Sequence, residues 1–70
     1  MKQVAVVTGG SSGMGEATVK ELEKRGWHVA PMARSKTAFQ GDVTKDADCR
    51  RVAKAVLDKW GRIDALVNAA

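Results

Sequence analysis

Residues 4–15 read Val4-Ala5-Val6-Val7-Thr8-Gly9-Gly10-Ser11-Ser12-Gly13-Met14-Gly15. The first five are apolar or β-branched without a break and glycine follows at once, the pattern of a short strand buried on both faces. Such a strand belongs in a parallel sheet with helices above and below it. From Ser12 or Gly13 to Arg25, Met14, Ala17 and Leu22 recur at helical spacing, while Glu16, Lys20, Glu21, Glu23 and Lys24 take the other positions, so the turn leads into an amphipathic helix. Lys24 and Arg25 fall in its last turn and Gly26 just past its end. Glycines between a buried strand and a helix permit a tight turn, let the backbone approach a diphosphate without an intervening Cβ, and let helix and strand pack closely. The helix N-terminus then offers free N–H groups and a positive dipole end to the phosphates. The same glycines would suit a loop with no ligand, but the strand-turn-helix setting favours a nucleotide site. A phosphate loop of the NTPase type is excluded, because Gly15 is followed by Glu16 where that motif needs Lys and then Ser or Thr.

Beyond this segment, Trp27 to Ala30 reads as a second strand that ends at Pro31, which has no N–H to give to a ladder. Arg34-Ser35-Lys36 is polar loop, and Thr37 to Gln40 reads as a brief third strand. Only six residues, Ala33 to Ala38, separate Met32 from Phe39, too few for a helical crossover. Thr44 as N-cap, Asp46 and Asp48 in the first turn and Lys59 in the last frame a second helix, in which Cys49, Val52, Ala53, Val56 and Trp60 recur every three or four residues. Gly61 ends it, and Ile63 to Val67 forms a last strand that reaches Asn68. The order β-α-β-β-α-β, with right-handed crossovers, places the strands in the spatial order 3-2-1-4. This is an α/β fold, part of a Rossmann sheet with a short connection between strands 2 and 3. The two helices fall on opposite faces. One helix per face does not cover four parallel strands, so apolar edges of Val4 to Val7 and Ile63 to Val67 are expected to be exposed.

Composition narrows the function classes. A chain of 70 residues buries roughly 60% of its unfolded surface. With 44% hydrophobic and 29% charged residues it is globular rather than disordered or fibrous. A net charge of +4 suits an anionic partner such as a nucleotide. Nucleic-acid binding is not expected, because Arg50, Arg51, Lys54, Lys59 and Arg62 interleave with Asp46, Asp48 and Asp58 as a solvated helix face. The single cysteine, Cys49, forms no internal disulfide and offers no zinc set, which fits a reducing cytoplasm. The apolar run before the glycines is too short for a signal peptide or a bilayer span, so no membrane association is expected. His28 has no Asp, Glu or Cys close to it in sequence and reads as structural, as do Cys49 and Trp60 on the apolar stripe of the second helix. Ser11 and Ser12 lack a general base and suit phosphate-side hydrogen bonding better than nucleophilic catalysis.

The chain resembles the N-terminal part of the short-chain dehydrogenase/reductase family over essentially all of its 70 residues. The family's TGxxxGxG turn stands as Thr8-Gly9-Gly10-Ser11-Ser12-Gly13-Met14-Gly15, its acidic-plus-valine pair after the third strand as Asp42-Val43, and its NNAG segment as Asn68-Ala69-Ala70. Ala69 replaces the second Asn of that segment. Trp60 to Asn68 also resembles the family's approach to it. The resemblance implies cofactor contacts from Gly9, Ser11, Ser12, Gly13, Met14, Gly15, Asp42, Val43 and Asn68, the Asp42 carboxylate accepting from the adenine amino group. It implies an oxidoreductase that moves a hydride between a nicotinamide and a carbonyl or secondary alcohol, in a homo-oligomeric parent. The family's proton-transfer residues are a Ser, a Tyr and a Lys downstream of the NNAG segment, and this chain has no Tyr. Residues 1–70 are therefore expected to be the dinucleotide-binding half of one Rossmann domain, with no catalytic residue of their own and the remaining half of the fold as a partner. The alternative is a free-standing, non-catalytic dinucleotide-binding or dimerising module. A nucleotide-sugar or methyl-donor Rossmann domain is disfavoured by Asp42-Val43 and Asn68.

Sites that prefer NAD place an Asp or Glu about 20 residues after the glycines, at the end of the second strand. No acidic residue occurs from Arg25 to Gly41, and Arg34, with Ser35 and Lys36 beside it, stands one position past the place where the acid would fall. A guanidinium grips a 2′-phosphate in bidentate fashion, and a missing carboxylate removes the repulsion that would reject it. NADP is therefore expected over NAD, with Arg34 and Ser35 at the 2′-phosphate; the other reading of Arg34 and Lys36 is a pair of solvated loop cations.

Overall fold

A computed structural model of the chain describes residues 2–9, 13–35 and 37–69. The elements are β1 (Val4–Thr8), α1 (Gly13–Lys24), β2 (His28–Ala33), β3 (Phe39–Gln40), α2 (Asp46–Trp60) and β4 (Ala65–Asn68). All four strands run parallel in one sheet ordered β3-β2-β1-β4. This is the order expected from right-handed crossovers.

Each face of the sheet takes alternate residues. Val4 and Val6 of β1 and Ala30 and Met32 of β2 pack against Val52 and Val56 of α2, with Phe39, Cys49 and Trp60 at the margin. Ala5, Val7 and Val29 are equally buried and point to the opposite face, the side of α1. The continuous apolar run of β1 thus serves two half-cores at once. The expectation that Val4 to Val7 would expose apolar edges is corrected: every residue of β1 is buried, because β1 is an inner strand flanked by β2 and β4. The other half of that expectation holds, since β4 is an edge strand with Leu66 69% exposed, and Ile63 just before it is also exposed.

The helix ends follow local chemistry. Past α1, the N–H of Trp27 donates to the Leu22 carbonyl and that of Gly26 to the Glu23 carbonyl, the paired bonds of a Schellman motif, and Gly26 has the positive φ (91°) that this motif needs. At the start of α2 the structure corrects the expected cap. Lys45, not Thr44, is the N-cap residue, and no side chain caps there. The Thr44 hydroxyl is engaged elsewhere, donating to Asp42 Oδ1 at 2.6 Å.

Strand limits also differ from expectation, and β2 starts at His28 rather than Trp27. β2 does not stop at Ala30 but runs through Pro31 to Ala33. Pro31 is tolerated because its ring nitrogen faces the β3 side of the strand, and β3 begins only opposite Met32. The Pro31 carbonyl accepts from the Thr37 hydroxyl instead of from a ladder donor. That engagement explains why β3 starts at Phe39 and not at Thr37. β4 starts at Ala65 and not at Ile63, since Asp64 turns its carboxylate back to the N–H of Val4 (Oδ2 to N 2.7 Å) while its own N–H donates to the Val4 carbonyl.

His28, half-buried at the start of β2, stacks on Trp60 with centroids 5.1 Å apart, and Trp60 meets Phe39 at 6.0 Å. Lys59 Nζ lies 5.0 Å from the Trp60 ring centroid. The aromatic residues close one margin of the core, which agrees with a structural reading of His28 and Trp60. Among the described residues no group of His, Cys, Asp and Glu could hold a metal ion, and no helix is long and apolar enough to cross a membrane.

Candidate functional site

Because the strands are all parallel, their carboxyl ends lie along one edge of the sheet. Gly9 follows β1, Arg34 follows β2, Asp42 lies two residues past β3, and Asn68 ends β4. Open parallel sheets bind ligands along this edge.

At the end of β1, the N–H of Gly9 donates to the Met32 carbonyl at 2.8 Å, so the turn leaves the sheet still tied to β2. Gly9 (φ 73°) and Gly13 (φ 55°) both have left-handed backbone. Among the described residues, a Cβ on Gly13 would meet no atom within 4 Å beyond its chain neighbours and its own helix backbone. Gly15 is buried in the first turn of α1. Met14 is exposed on the same turn. Gly9, Gly13, Met14 and Gly15 thus lie at the junction of β1 and α1. Ser11 and Ser12 lie outside the described residues, as does Lys36.

Past β2 and β3, a hollow of about 250 Å³ is lined by Arg34, Gln40, Gly41, Asp42, Asp48 and Arg51. Arg34 Nε stands 4.0 Å from Asp42 Oδ2, with the Arg34 side chain 81% exposed, and Ser35 is exposed beside it. Asp42 Oδ1 accepts from the N–H of Thr44 (2.9 Å) and from its hydroxyl (2.6 Å). These Thr44 bonds, and the positive charge of Arg34 and Lys45, hold the Asp42 carboxyl below the usual carboxylate range. Val43 follows with its side chain exposed. On β4, Asn68 Oδ1 accepts from the Thr8 hydroxyl at 3.0 Å, which joins the NNAG-like segment to the end of β1.

Two residues at this site are not marked as site residues by the sequence. Asp48 Oδ2 accepts the N–H of Asp42 at 2.8 Å, and Arg51 Nη2 donates to the Gln40 carbonyl at 2.8 Å. In the sequence both belong to a solvated helix face. Their i, i+3 spacing was visible, but that the first turn of α2 lies over the end of β3 was not. A second, larger hollow of about 480 Å³ runs along α1 from Met14 to Arg25 and holds none of the other expected residues.

The short chain dehydrogenase family profile matches residues 3–70. This chain belongs to that family. A probable 2,4-dienoyl-CoA reductase of Bacillus subtilis is 35% identical over 86 aligned positions covering 99% of this chain, and a peroxisomal 2,4-dienoyl-CoA reductase of Arabidopsis thaliana is 36% identical over 97% of it. The chain spans about a third of the length of these relatives (34% and 28%). It also covers 81% of a shorter relative, the short-chain dehydrogenase/reductase homolog YusS of Bacillus subtilis, at 34% identity. The crystal structure of a short chain dehydrogenase from Bacillus anthracis superposes with a TM-score of 0.88 over 97% of this chain at 30% identity, covering 34% of that chain. A putative 3-oxoacyl-reductase structure from Bacillus thuringiensis gives 0.90 over the whole chain at 23% identity, a likeness of fold. The fold is therefore Rossmann-like and the family is one of oxidoreductases that use nicotinamide dinucleotides.

Proposed function

We propose that this chain binds the adenosine and diphosphate portion of a nicotinamide dinucleotide, NADP in preference to NAD, as the cofactor-binding half of an oxidoreductase domain. The observation that carries this reading is the convergence of the glycine turn, Arg34, Asp42 and Asn68 on the carboxyl edge of one parallel sheet. The left-handed Gly13, with open space where a Cβ would stand, fits a diphosphate lying against the turn. Ser11, Ser12 and the first N–H groups of α1 would hold its oxygens, with Gly9, Met14 and Gly15 shaping the turn. Arg34 and Ser35 would take the 2′-phosphate, Asp42 the adenine amino group with Val43 beside it, and Asn68 the far side of the cofactor.

When bound, the nicotinamide supplies or accepts a hydride, and the partner substrate is a carbonyl or secondary alcohol. The residues of this chain bind and orient; they transfer no proton, since the family's tyrosine is absent from the 70 residues. The parent enzyme is a cytoplasmic homo-oligomer whose remaining half supplies the catalytic side chains. A second reading, a non-catalytic dinucleotide-binding module, draws support from the short relative YusS, most of whose length this chain covers.

The test is a fluorescence titration of the purified protein with NADPH and, separately, with NADH. Saturable binding that favours NADPH is expected. Absence of saturable binding by either cofactor overturns the proposal.

A further inference from the structure

We infer that Asp48, supported by Arg51, is a positioning residue that presents Asp42 to the adenine ring. The inference rests on the dinucleotide reading above and assigns a role in it to the first turn of α2.

β3 is two residues long and lies at the edge of the sheet. Its last tie to β2 is the N–H of Gly41, which donates to the Ala33 carbonyl at 2.8 Å. One residue later Asp42 has no neighbouring strand, so the ladder no longer sets its direction. Other bonds do. Its N–H goes to Asp48 Oδ2 at 2.8 Å, its carbonyl accepts from the N–H of Lys45 at 3.0 Å, and its Oδ1 takes both bonds from Thr44. Its Oδ2 lies 4.0 Å from Nε of the exposed Arg34, and the two residues line the same hollow. A carboxylate oxygen so fixed is ready to accept from an exocyclic amino group without first losing conformational freedom.

Asp48 is itself steadied from the same helix. Its Oδ1 lies 3.5 Å from Arg51 Nη2, and Arg51 Nη2 also donates to the Gln40 carbonyl. The two side chains thus grip the backbone on either side of Gly41. The fit is close: a Cβ on Gly41 would stand 3.3 Å from both Arg51 Nη2 and Asp48 Cβ, and 2.9 Å from Met32 Cε. Glycine is what lets the clamp close over the end of β3.

The experiment compares binding of NADPH with that of its hypoxanthine counterpart, in which a ring carbonyl replaces the adenine amino group. The wild-type protein is expected to prefer NADPH by about tenfold or more, the discrimination of one hydrogen bond to a charged acceptor. Asp48→Ala is expected to weaken NADPH binding and to bring the preference within about threefold of unity. Asp48→Asn keeps an acceptor for the Asp42 N–H and is expected to retain the preference. Arg51→Ala is expected to reduce it severalfold, and serves as the test if Asp48→Ala proves unfolded by circular dichroism. A purely structural role predicts that both ligands weaken alike at an unchanged ratio; that result overturns the inference and leaves the proposed function standing. Absence of binding by the wild-type protein overturns both.

Discussion

The hydroxyl of Thr8, the last residue of β1, donates to Oδ1 of Asn68, the last residue of β4, at 3.0 Å. Thr8 is 7% exposed, and its hydroxyl also lies 3.3 Å from the Val67 carbonyl. The bond fixes the spacing between the glycine turn and the NNAG-like segment. Thr8→Val keeps the shape and the β propensity but removes the donor. A loss of about 1 kcal/mol is expected, read as a fall in melting temperature of about 4–8 °C for a domain of this size. A melting temperature equal to that of wild type would mean that the bond contributes nothing.

Arg34 stands at the carboxyl end of β2, in a stretch from Arg25 to Gly41 that has no acidic residue, with Asp42 Oδ2 4.0 Å from its Nε. Arg34→Ala is expected to weaken NADPH binding by about 10–100-fold, the value of a charge-assisted contact to a phosphate, and to leave NADH within about threefold. Paired titrations check the ratio. Equal losses for both cofactors would remove Arg34 from the 2′-phosphate.

Gly13 and Gly26 make a matched pair. Both have positive φ and both would place a Cβ in open space. Alanine at either should therefore cost about 1–2 kcal/mol of stability through backbone strain alone. Only Gly13 lies on the proposed diphosphate path. Gly13→Ala is expected to lower cofactor affinity at least tenfold, whereas Gly26→Ala should lower the urea midpoint and leave affinity per folded molecule unchanged.

Acid should loosen the fold by a defined route. Asp64 is held below the ordinary value of 3.8 first by its hydrogen bonds from Arg62 and then by the Val4 N–H, and Asp48 is lowered chiefly by the N–H of Asp42. Asp42 is lowered in the same direction by Thr44. Each folded-state value lies below the unfolded one, so at acid pH the unfolded chain binds more protons. Stability is fully present above the ordinary carboxylate range and is lost as the pH falls below about 3.8. Urea unfolding at pH 7, 5 and 3 should show similar midpoints at the first two and a drop at the third. Asp64→Asn should lower the neutral-pH midpoint and flatten that drop. An equally steep acid loss in the variant would assign the effect to other carboxylates.

The order of the elements and the place of the glycine turn were legible because they rest on local pattern: an unbroken apolar run in β1, a three-and-four repeat in α2, and chirality rules that leave one strand order. Pro31 was not, because whether proline breaks a strand depends on what lies opposite its nitrogen, and the sequence does not show that β3 begins one residue higher. Thr44 has the residue type of a cap, yet the nearer carboxylate of Asp42 takes its hydroxyl. Asp48 and Arg51 looked like surface charge, since their partners are backbone atoms of Gln40 and Asp42, which no side-chain pattern records. The candidate site was thus readable at its glycines and at Arg34, Asp42 and Asn68, but not in the groups that hold them in place.

The pairing of β1 with β4 joins residues some sixty positions apart, whereas β2 and β3 meet at a separation of seven. The order in which these contacts form is set by that difference. The β2–β3 arch can close within its own loop, but β4 reaches β1 only after the whole intervening chain has been gathered, and the entropy of closing that span falls on a single strand pair. Destabilising changes in β4 should accordingly act on the rate at which the sheet opens rather than on the rate at which the molecule first collapses. The strand that completes the ligand edge would be the last to arrive and the first to leave.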